Sequence, residues 1–392
     1  MERAGGGGGW GTRTRDSYNL EVKRIILPLC LIALAVILTM PQPTRGVPLW
    51  SGARFSDLKR EGAIDRGLHF IYRTACDPRN FDAWGHDYLW CFYSIGATSQ
   101  DAILRRLALS MGRERARIWR QEHPSLAAQA DVYDIMNLAF GGYAAEALGF
   151  PDENMKAQIR RAAARFSATD FLWFNPAIEP PPSDIPKSCA KCASQNPRGT
   201  KSCRKCNAPL AMMSPYDIWC DALISTYTGD RYGVTLGAKY TEVIKWLPAM
   251  RPYRVVASGD GDEFYSTAYA ITHVIYTLND YSVYRLSPAW LSPEFDFLRR
   301  NLQTMVTWKD SETVGELLDT LKSFGLSDGD PVVRAGVDYL LATQNPDGSW
   351  GDMRDRDIYN RYHPTWTAID GLRDYAWRGE ALSFPEVATI LK

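Results

Sequence analysis

The sequence predicts an all-α protein in which about six helical hairpins close into a ring. Two observations predict this. From residue 61 onward there are few alternating β-branched runs and many stretches in which apolar residues recur at every third or fourth position, as on one face of a helix. These amphipathic stretches alternate with segments that are apolar nearly all round, as a helix buried on every side would be. The alternation repeats about six times with a period near 50 residues.

The amphipathic stretches predict the outer helix of each hairpin, and the more apolar segments predict the inner helix. The outer sets begin at Ile64, Ile103, Ile159, Leu236, Phe295 and Val333. The predicted inner helices are Tyr88–Ala97, Val132–Leu148, Tyr216–Tyr227, Phe264–Leu278, Glu312–Phe324 and Thr365–Leu372. The segment that begins at Glu312 is more polar than the other five. Since inner helices contact neighbours and outer helices keep one face in water, the ring should enclose a cavity at one end.

The composition is that of a folded protein without net charge. The chain has 392 residues, of which 45% are hydrophobic and 23% charged, so a sizeable core is expected and wholesale disorder is excluded. Forty-five basic residues balance 45 acidic ones. Nucleic-acid binders are usually basic, so no nucleic-acid partner is expected. Aromatic residues reach 12%, and such rings commonly line cores and cation-stabilising cavities.

The N-terminal segment predicts attachment to a lipid bilayer. Residues 1–24 are Gly-rich and charged, which predicts a disordered tail. Residues 25–40 are sixteen residues without a charge, which predicts a short single-pass transmembrane anchor, with a cleaved signal peptide as the alternative. More basic residues precede this segment than follow it, which favours the N terminus inside. Residues 41–60 would then link the anchor to a ring domain over residues 61–392.

A segment over residues 180–209 interrupts the helical pattern. It carries two Cys-x-x-Cys pairs separated by ten residues, which resemble the knuckles of small bacterial-type zinc ribbons. Four thiolates suit one tetrahedral zinc ion and leave no open position for water, so the expected cofactor is a structural Zn²⁺. The predicted ligands are Cys189, Cys192, Cys203 and Cys206. The basic side chains of this insertion are either a solvated face or a docking site for a protein partner.

One motif near the C terminus is complete. Residues 334–340 are followed at fixed spacing by Gln344 and by Gly348-Ser349-Trp350. These residues match the QW repeat of terpenoid cyclases, in which Gln344 would cap backbone groups at a helix end while Trp350 packs over it. The next segment, residues 362–372, looks like an inner helix of the same proteins and of the protein prenyltransferase β subunit. The resemblance implies an α/α toroid, or α6/α6 barrel, that acts on an isoprenoid or lipid-like substrate in a central aromatic cavity.

The residues that would perform the chemistry depart from the family pattern. The Asp-x-Asp-Asp acid of the cyclases is absent, and the nearest cluster contains Asp260 and Asp262, directly before an inner helix. These two carboxylates are catalytic candidates that could share a proton or bind Mg²⁺, or else they form a turn and helix cap. His273, within an inner helix, is a candidate general base or a core histidine. His363 stands where the prenyltransferases place a metal-binding histidine, but their Asp-x-Cys partner has no match. The alternative is a histidine that caps a helix or forms a hydrogen bond in the core.

Further residues at the starts of inner helices are candidates for binding the substrate, because helices aimed at one pore would gather them around it. They are His86, Asp134, Asp217, Trp219, Tyr265 and Trp366. A ring of carboxylates also fits a carbohydrate-processing α/α barrel. A non-catalytic toroid that binds a peptide or lipid and docks partners through its ribbon is a further alternative. Motifs for phosphate binding or for a nucleophile elbow are absent, so nucleotide-dependent chemistry and triad hydrolysis are not supported.

Overall fold

The computed structural model describes residues 59–254 and 261–391, and over these ranges helices dominate while β pairing is limited to isolated bridges. The all-α prediction is therefore confirmed. Among the described helices, none has the length and apolarity needed to cross a bilayer. The predicted tail and anchor lie outside the described residues, as does Asp260.

The helices follow the chain in alternating inner and outer positions. In order they are α1 (Lys59–Ala75), α2 (Pro78–Thr98), α3 (Ala102–Glu122), α4 (Val132–Ala147), α5 (Glu153–Ala163), α6 (Ala168–Leu172), α7 (Pro215–Tyr232), α8 (Tyr240–Ile244), α9 (Leu247–Met250), α10 (Gly261–Leu278), α11 (Ser292–Trp308), α12 (Ser311–Ser323), α13 (Pro331–Thr343) and α14 (Tyr359–Leu372). A short 3-10 helix follows at Pro385–Thr389.

Six of these helices form a closed ring. In chain order, α2, α4, α7, α10, α12 and α14 each contact the next, and α14 also contacts α2. The six predicted inner segments lie within these helices or overrun them by one residue. Outside the ring, α1 contacts α2 and α14, α3 contacts α2 and α4, α5 contacts α4, and α11 and α13 contact α12. The alternation of apolar and amphipathic segments therefore corresponds to inner and outer position.

The fourth outer helix differs from the prediction. The apolar set from Leu236 to Leu247 does not form one helix but two short ones, α8 and α9. Pro248 lies in the first turn of α9, where its missing N–H is tolerated. A single helix with Pro248 in its interior would lose a hydrogen bond and clash with the preceding turn, so the helix is interrupted between Ile244 and Leu247.

The helix α12 is buried along nearly its whole length despite its polar sequence. All its residues except Glu312 are buried. Gly315 permits the close approach of α14, because a Cβ at this position would lie 2.4 Å from the carbonyl oxygen of Thr367. The Lys322 ammonium donates to the carbonyl oxygens of Gly371 at 2.6 Å and Arg373 at 3.0 Å, which satisfies the C-terminal end of α14. A polar inner helix is therefore tolerated because its polar groups have partners.

Residues of the C-terminal motif join the last hairpin to the first helix. The Gln344 amide donates to the carbonyl oxygens of Ala63 at 2.8 Å and Gly348 at 3.0 Å. The Arg66 guanidinium donates to the side-chain oxygen of Gln344. The Trp350 indole donates to the Leu340 carbonyl at 2.9 Å, so the loop after α13 is fixed to the end of that helix. These contacts bind α13 to α1 on the outside of the ring.

Candidate functional site

The ring encloses a cavity of about 1130 Å³, counting the part that is open to solvent. Each of the six inner helices contributes to its wall. Its aromatic lining residues are Trp84, Trp90, Phe140, Tyr143, Tyr269, Tyr281, Tyr359 and Trp366.

The aromatic rings of the wall support one another. Trp90 stacks on Tyr143 at 5.1 Å between ring centroids and meets Tyr281 edge-on at the same distance. On the other side, Trp84 and Tyr359 lie 4.8 Å apart. Rings locked in this way present apolar faces with a negative electrostatic potential, which favour hydrocarbon chains and positive charge.

Two glutamates and a histidine form an acidic cluster in this wall. Glu312 and Glu316 are one turn apart on α12, and His363 faces them from α14. His363 Nδ1 lies 3.0 Å from Glu312 Oε1, and the Tyr269 hydroxyl donates to the same oxygen at 2.8 Å. The Thr272 hydroxyl donates to Glu316 Oε2 at 2.7 Å. Both carboxyl groups are therefore held by side chains of neighbouring helices.

The three groups of the acidic cluster have different protonation states. Burial raises the pKa of Glu316 to about 8, so this carboxyl is mostly protonated at neutral pH. Burial would also raise the pKa of Glu312, but the neighbouring His363 outweighs it and the pKa is lowered. Burial would lower the pKa of His363, but Glu312 outweighs it and raises the pKa to about 9. At neutral pH the cluster is a neutral acid beside a carboxylate–imidazolium pair, an arrangement typical of acid–base sites.

A second histidine of the wall is a neutral imidazole. Burial lowers the pKa of His273 to about 4. Its Nδ1 lies 2.8 Å from the carbonyl oxygen of Tyr269. Because a carbonyl oxygen can only accept, we place the proton on Nδ1, which leaves Nε2 as the basic nitrogen.

Four residues predicted from the sequence line the cavity. They are His86, His273, His363 and Trp366. The sequence did not single out Glu312 and Glu316, although their spacing of four residues within a predicted inner helix was a usable signal. It also missed Tyr281. Asp87, the neighbour of His86 in the sequence, lines the cavity as well, and its carboxylate accepts from the Tyr362 hydroxyl at 2.7 Å.

The other predicted catalytic and substrate-binding residues that the structure describes are not among those that line the cavity. Asp134 is exposed and forms a capping box with Asp131 at the start of α4. Asp262 is exposed in the first turn of α10. In both cases the carboxylate at the start of an inner helix is exposed, and it compensates unpaired N–H groups there.

Three further candidates pack between helices. Trp219 is fully buried and its indole donates to the Val243 carbonyl at 3.2 Å. Tyr265 packs against Trp308, with ring centroids 5.8 Å apart. Asp217 is half-buried, and burial raises its pKa. The turn-by-turn rotation of a helix points these positions away from the cavity, although each lies on an inner helix.

The four cysteines of the insertion converge on one point. The Sγ atoms of Cys189 and Cys206 are 3.4 Å apart, those of Cys192 and Cys203 are 3.6 Å apart, and all four lie within 4.8 Å of one another. A tetrahedral zinc ion with bonds of about 2.3 Å holds its sulfurs about 3.8 Å apart. In each knuckle the residue after the second cysteine is left-handed, with φ of 55° at Ala193 and 58° at Asn207. The site therefore fits a zinc ion.

Glu312, Glu316 and His363 also have ligand atoms within 4.8 Å of one another. Here, however, His363 Nδ1 is already engaged by Glu312, and hydroxyl groups donate to both carboxyls. A metal ion would have to displace these contacts and the proton of Glu316. The donor set of the acidic cluster fits proton transfer better than metal binding.

Comparisons with known proteins do not place the chain in a family. No family model matches it, and no curated protein matches it. A solved structure that resembles it is that of the type II terpene cyclase MstE from Scytonema in its apo form. The identity is 14%, with 85% of this chain and 99% of that chain covered and a TM-score of 0.42. A likeness at this level carries no conclusion about activity, so function must come from the site.

Proposed function

We propose that the protein is an enzyme of the terpenoid cyclase or prenyltransferase type that performs acid–base chemistry on an isoprenoid or other lipid-like substrate. The observation that carries this proposal is the acidic cluster within an aromatic wall: the neutral Glu316 lies beside the ionised pair of Glu312 and His363. The fold in this proposal is an α/α toroid whose last hairpin carries a QW repeat.

Glu316 is the general acid in this mechanism. A group with a pKa of about 8 donates a proton efficiently to an oxygen leaving group at neutral pH. It is too weak an acid to protonate a carbon–carbon double bond readily. The C–O bond of the substrate breaks, its electron pair stays with oxygen, and the oxygen takes the proton of Glu316.

The remaining positive charge on carbon is stabilised by the wall. The Glu312 carboxylate and the faces of Trp84 and Trp366 lie around the same cavity. Nε2 of His273 is an uncharged base that can accept a proton from the carbon next to the cation, which leaves an alkene. The oxygen-containing leaving group and the alkene are then the two products.

Two further features belong to this proposal. A transmembrane anchor over residues 25–40 would hold the cavity close to a substrate dissolved in lipid. A zinc ion at Cys189, Cys192, Cys203 and Cys206 would stabilise the insertion, because four protein ligands leave no position for a substrate. Docking of a protein partner on the basic face of the insertion is compatible with both.

Carbohydrate cleavage is a second candidate, favoured by one observation. The carboxyl oxygens of Glu312 and Glu316 lie within 4.8 Å of each other and the two pKa values are shifted in opposite directions. Retaining glycosidases hold an acid and a carboxylate about 5–5.5 Å apart. The two candidates differ in the ligand that the cavity selects, because an isoprenoid offers no hydroxyl groups along its chain.

The test uses the full-length chain purified in mild detergent. Bound small molecules are extracted and identified by mass spectrometry, and turnover of geranyl, farnesyl and geranylgeranyl alcohols and diphosphates is measured. Glu316→Gln should lower turnover by roughly 10²–10⁴-fold, as expected for loss of a general acid. Asp134→Asn, which alters an exposed carboxylate outside the cavity, is the control.

Recovery of an isoprenoid or other lipid with turnover that depends on Glu316 supports the proposal. Recovery of an oligosaccharide instead would favour the carbohydrate candidate. A bound lipid that is never converted would indicate a non-catalytic toroid.

A further inference from the structure

Two smaller cavities adjoin the aromatic cavity. One, of about 450 Å³, is lined by Asp319, Asp370 and Arg373 among others, and we call it the polar cavity. The other, of about 300 Å³, lies between Trp90, Tyr143 and the segment around residue 281. Within residues 59–254 and 261–391, Tyr281 is the one side chain common to the lining of all three cavities. Its ring therefore stands where the three spaces meet.

The aromatic cavity and the polar cavity are centred at different levels of the ring. The aromatic cavity is lined by the N-terminal halves of α12 and α14, through Glu312, Glu316 and His363. The polar cavity is lined by residues close to the C-terminal ends of the same helices, namely Asp319 and Asp370. Tyr281 follows the C-terminal end of α10. It thus lies on the side of the aromatic cavity that faces the C-terminal ends of the inner helices.

The backbone at this position is strained. Asp280, Tyr281 and Ser282 are consecutive residues with φ of 58°, 50° and 66°, directly after α10. Side chains other than glycine or asparagine rarely adopt this left-handed conformation, and it persists only where the surroundings enforce it. Backbone strain of this kind clusters at functional sites, so the position of the Tyr281 side chain in the cavity wall is expected to matter for function.

Hydrogen bonds of Asp280 and Ser282 hold the left-handed backbone in place on both sides of Tyr281. The Asp280 carboxylate accepts from the Tyr227 hydroxyl and the Arg231 guanidinium. The Ser282 hydroxyl donates to Asp319 at 2.9 Å, and its backbone N–H donates to the Asn279 side chain at 2.8 Å. The backbone that carries Tyr281 is therefore anchored to α7, α10 and α12.

The ring of Tyr281 is also fixed by other rings. It stacks on Tyr276, with centroids 5.7 Å apart and planes 13° apart, and it meets Trp90 at 5.1 Å and Tyr227 at 5.2 Å. A ring packed in this way cannot swing aside without breaking several contacts. The ring borders both the aromatic cavity and the polar cavity, and His273, Glu316, His363 and Trp366 also line both. The polar cavity contains in addition the buried groups Asp319, Asp370 and Arg373.

We propose that Tyr281 is the floor of the substrate cavity and sets the greatest length of apolar chain that the protein accepts. This inference rests on the proposed lipid-like ligand. A chain that enters past the acidic cluster ends against the Tyr281 ring. A longer chain would have to displace the ring or push apolar carbon among buried carboxyl groups, both of which are unfavourable.

The test measures the binding of linear primary alcohols of increasing chain length to the full-length protein, by isothermal titration calorimetry in detergent. In the wild type, affinity should rise about fourfold per added methylene. It should stop rising at one length, the cutoff. Tyr281→Gly removes the ring and suits the left-handed backbone, so this variant should fold. Its cutoff should move to longer chains, and the first alcohol rejected by the wild type should bind at least about tenfold more tightly.

Three controls separate the alternatives. Tyr281→Phe keeps the ring and should keep the wild-type cutoff, and Tyr281→Asn, which also tolerates a left-handed backbone, should behave as the glycine variant does. Glu122→Gln, which changes an exposed side chain on α3 that lines none of the three cavities, should leave the cutoff unchanged.

If the cutoff were unchanged in folded Tyr281→Gly and Tyr281→Asn, the inference that Tyr281 limits chain length would be wrong, while the proposed function would be unaffected. Absence of binding by alcohols of every length to the wild type would overturn the lipid-like ligand, and the floor with it. A shifted cutoff without any turnover would support the chain-length limit at Tyr281 and would contradict the proposed enzymatic activity.

Discussion

Replacing Glu316 by glutamine should change how the stability of the protein depends on pH. Burial raises the pKa of Glu316 to about 8 in the folded state, whereas a glutamate in an unfolded chain has a pKa near 4.3. Between these values the unfolded chain releases a proton that the folded chain keeps. The stability that Glu316 contributes is therefore fully present below about pH 4 and is lost as the pH rises toward 8.

The magnitude follows from this linkage. The loss amounts to about 1.4 kcal/mol per pH unit, so the wild type should lose about 2.7 kcal/mol from this group between about pH 5.5 and about pH 7.5. Glutamine has nearly the same shape, does not titrate, and can accept the hydrogen bond that Thr272 donates to Glu316 at 2.7 Å. Glu316→Gln should therefore gain about 2.7 kcal/mol relative to the wild type over this interval.

Urea unfolding of both proteins at the two pH values measures the difference. Glu122→Gln changes an exposed glutamate on α3 and should alter the free energy of unfolding by less than about 0.5 kcal/mol at either pH. If the Glu316→Gln difference were the same at both pH values, the buried carboxyl would not be holding its proton. The assignment of Glu316 as general acid would then be wrong as well.

The other predictions concern packing, zinc and the ion pair. Gly315→Ala should destabilise the protein by about 1–3 kcal/mol in urea unfolding, because its Cβ would lie 2.4 Å from the α14 backbone; Gly62→Ala, whose Cβ meets nothing closer than 3.4 Å, should not. Purified protein should contain one zinc ion per chain by plasma mass spectrometry, lost in Cys192→Ser and retained in Glu312→Gln; zinc that survives the cysteine change would contradict the ribbon. Because Glu312 raises the pKa of His363 to about 9, the stabilisation from the pair is fully present below about pH 6.5 and is lost as the pH rises through 9. The cost of His363→Gln in urea unfolding should shrink over that range, and a constant cost would argue against the pair.

The sequence by itself determined the ring and the cysteine cluster. Whether a segment such as Val132–Leu148 is apolar nearly all round or only on one face is a local property, and it decides whether the helix can face water. The spacing of the two Cys-x-x-Cys pairs is equally local, since each pair needs only one turn to bring two thiols together. The interruption between α8 and α9 was not predicted, although Pro248 was a local signal for it, because proline acts on its own backbone.

Only the tertiary structure decided which side chains meet in the cavity. Glu312 and His363 are 51 residues apart, and Tyr281 follows a helix that the sequence placed correctly. An inner helix that is apolar on every side carries no periodic signal to distinguish its cavity face from its outer face, so Trp219 and Trp366 looked alike in the sequence. Packing places the Trp219 side chain between helices and the Trp366 side chain in the cavity wall. The same packing buried Glu316 and so set its pKa, because desolvation depends on all the neighbours of a group and not on its place in the chain.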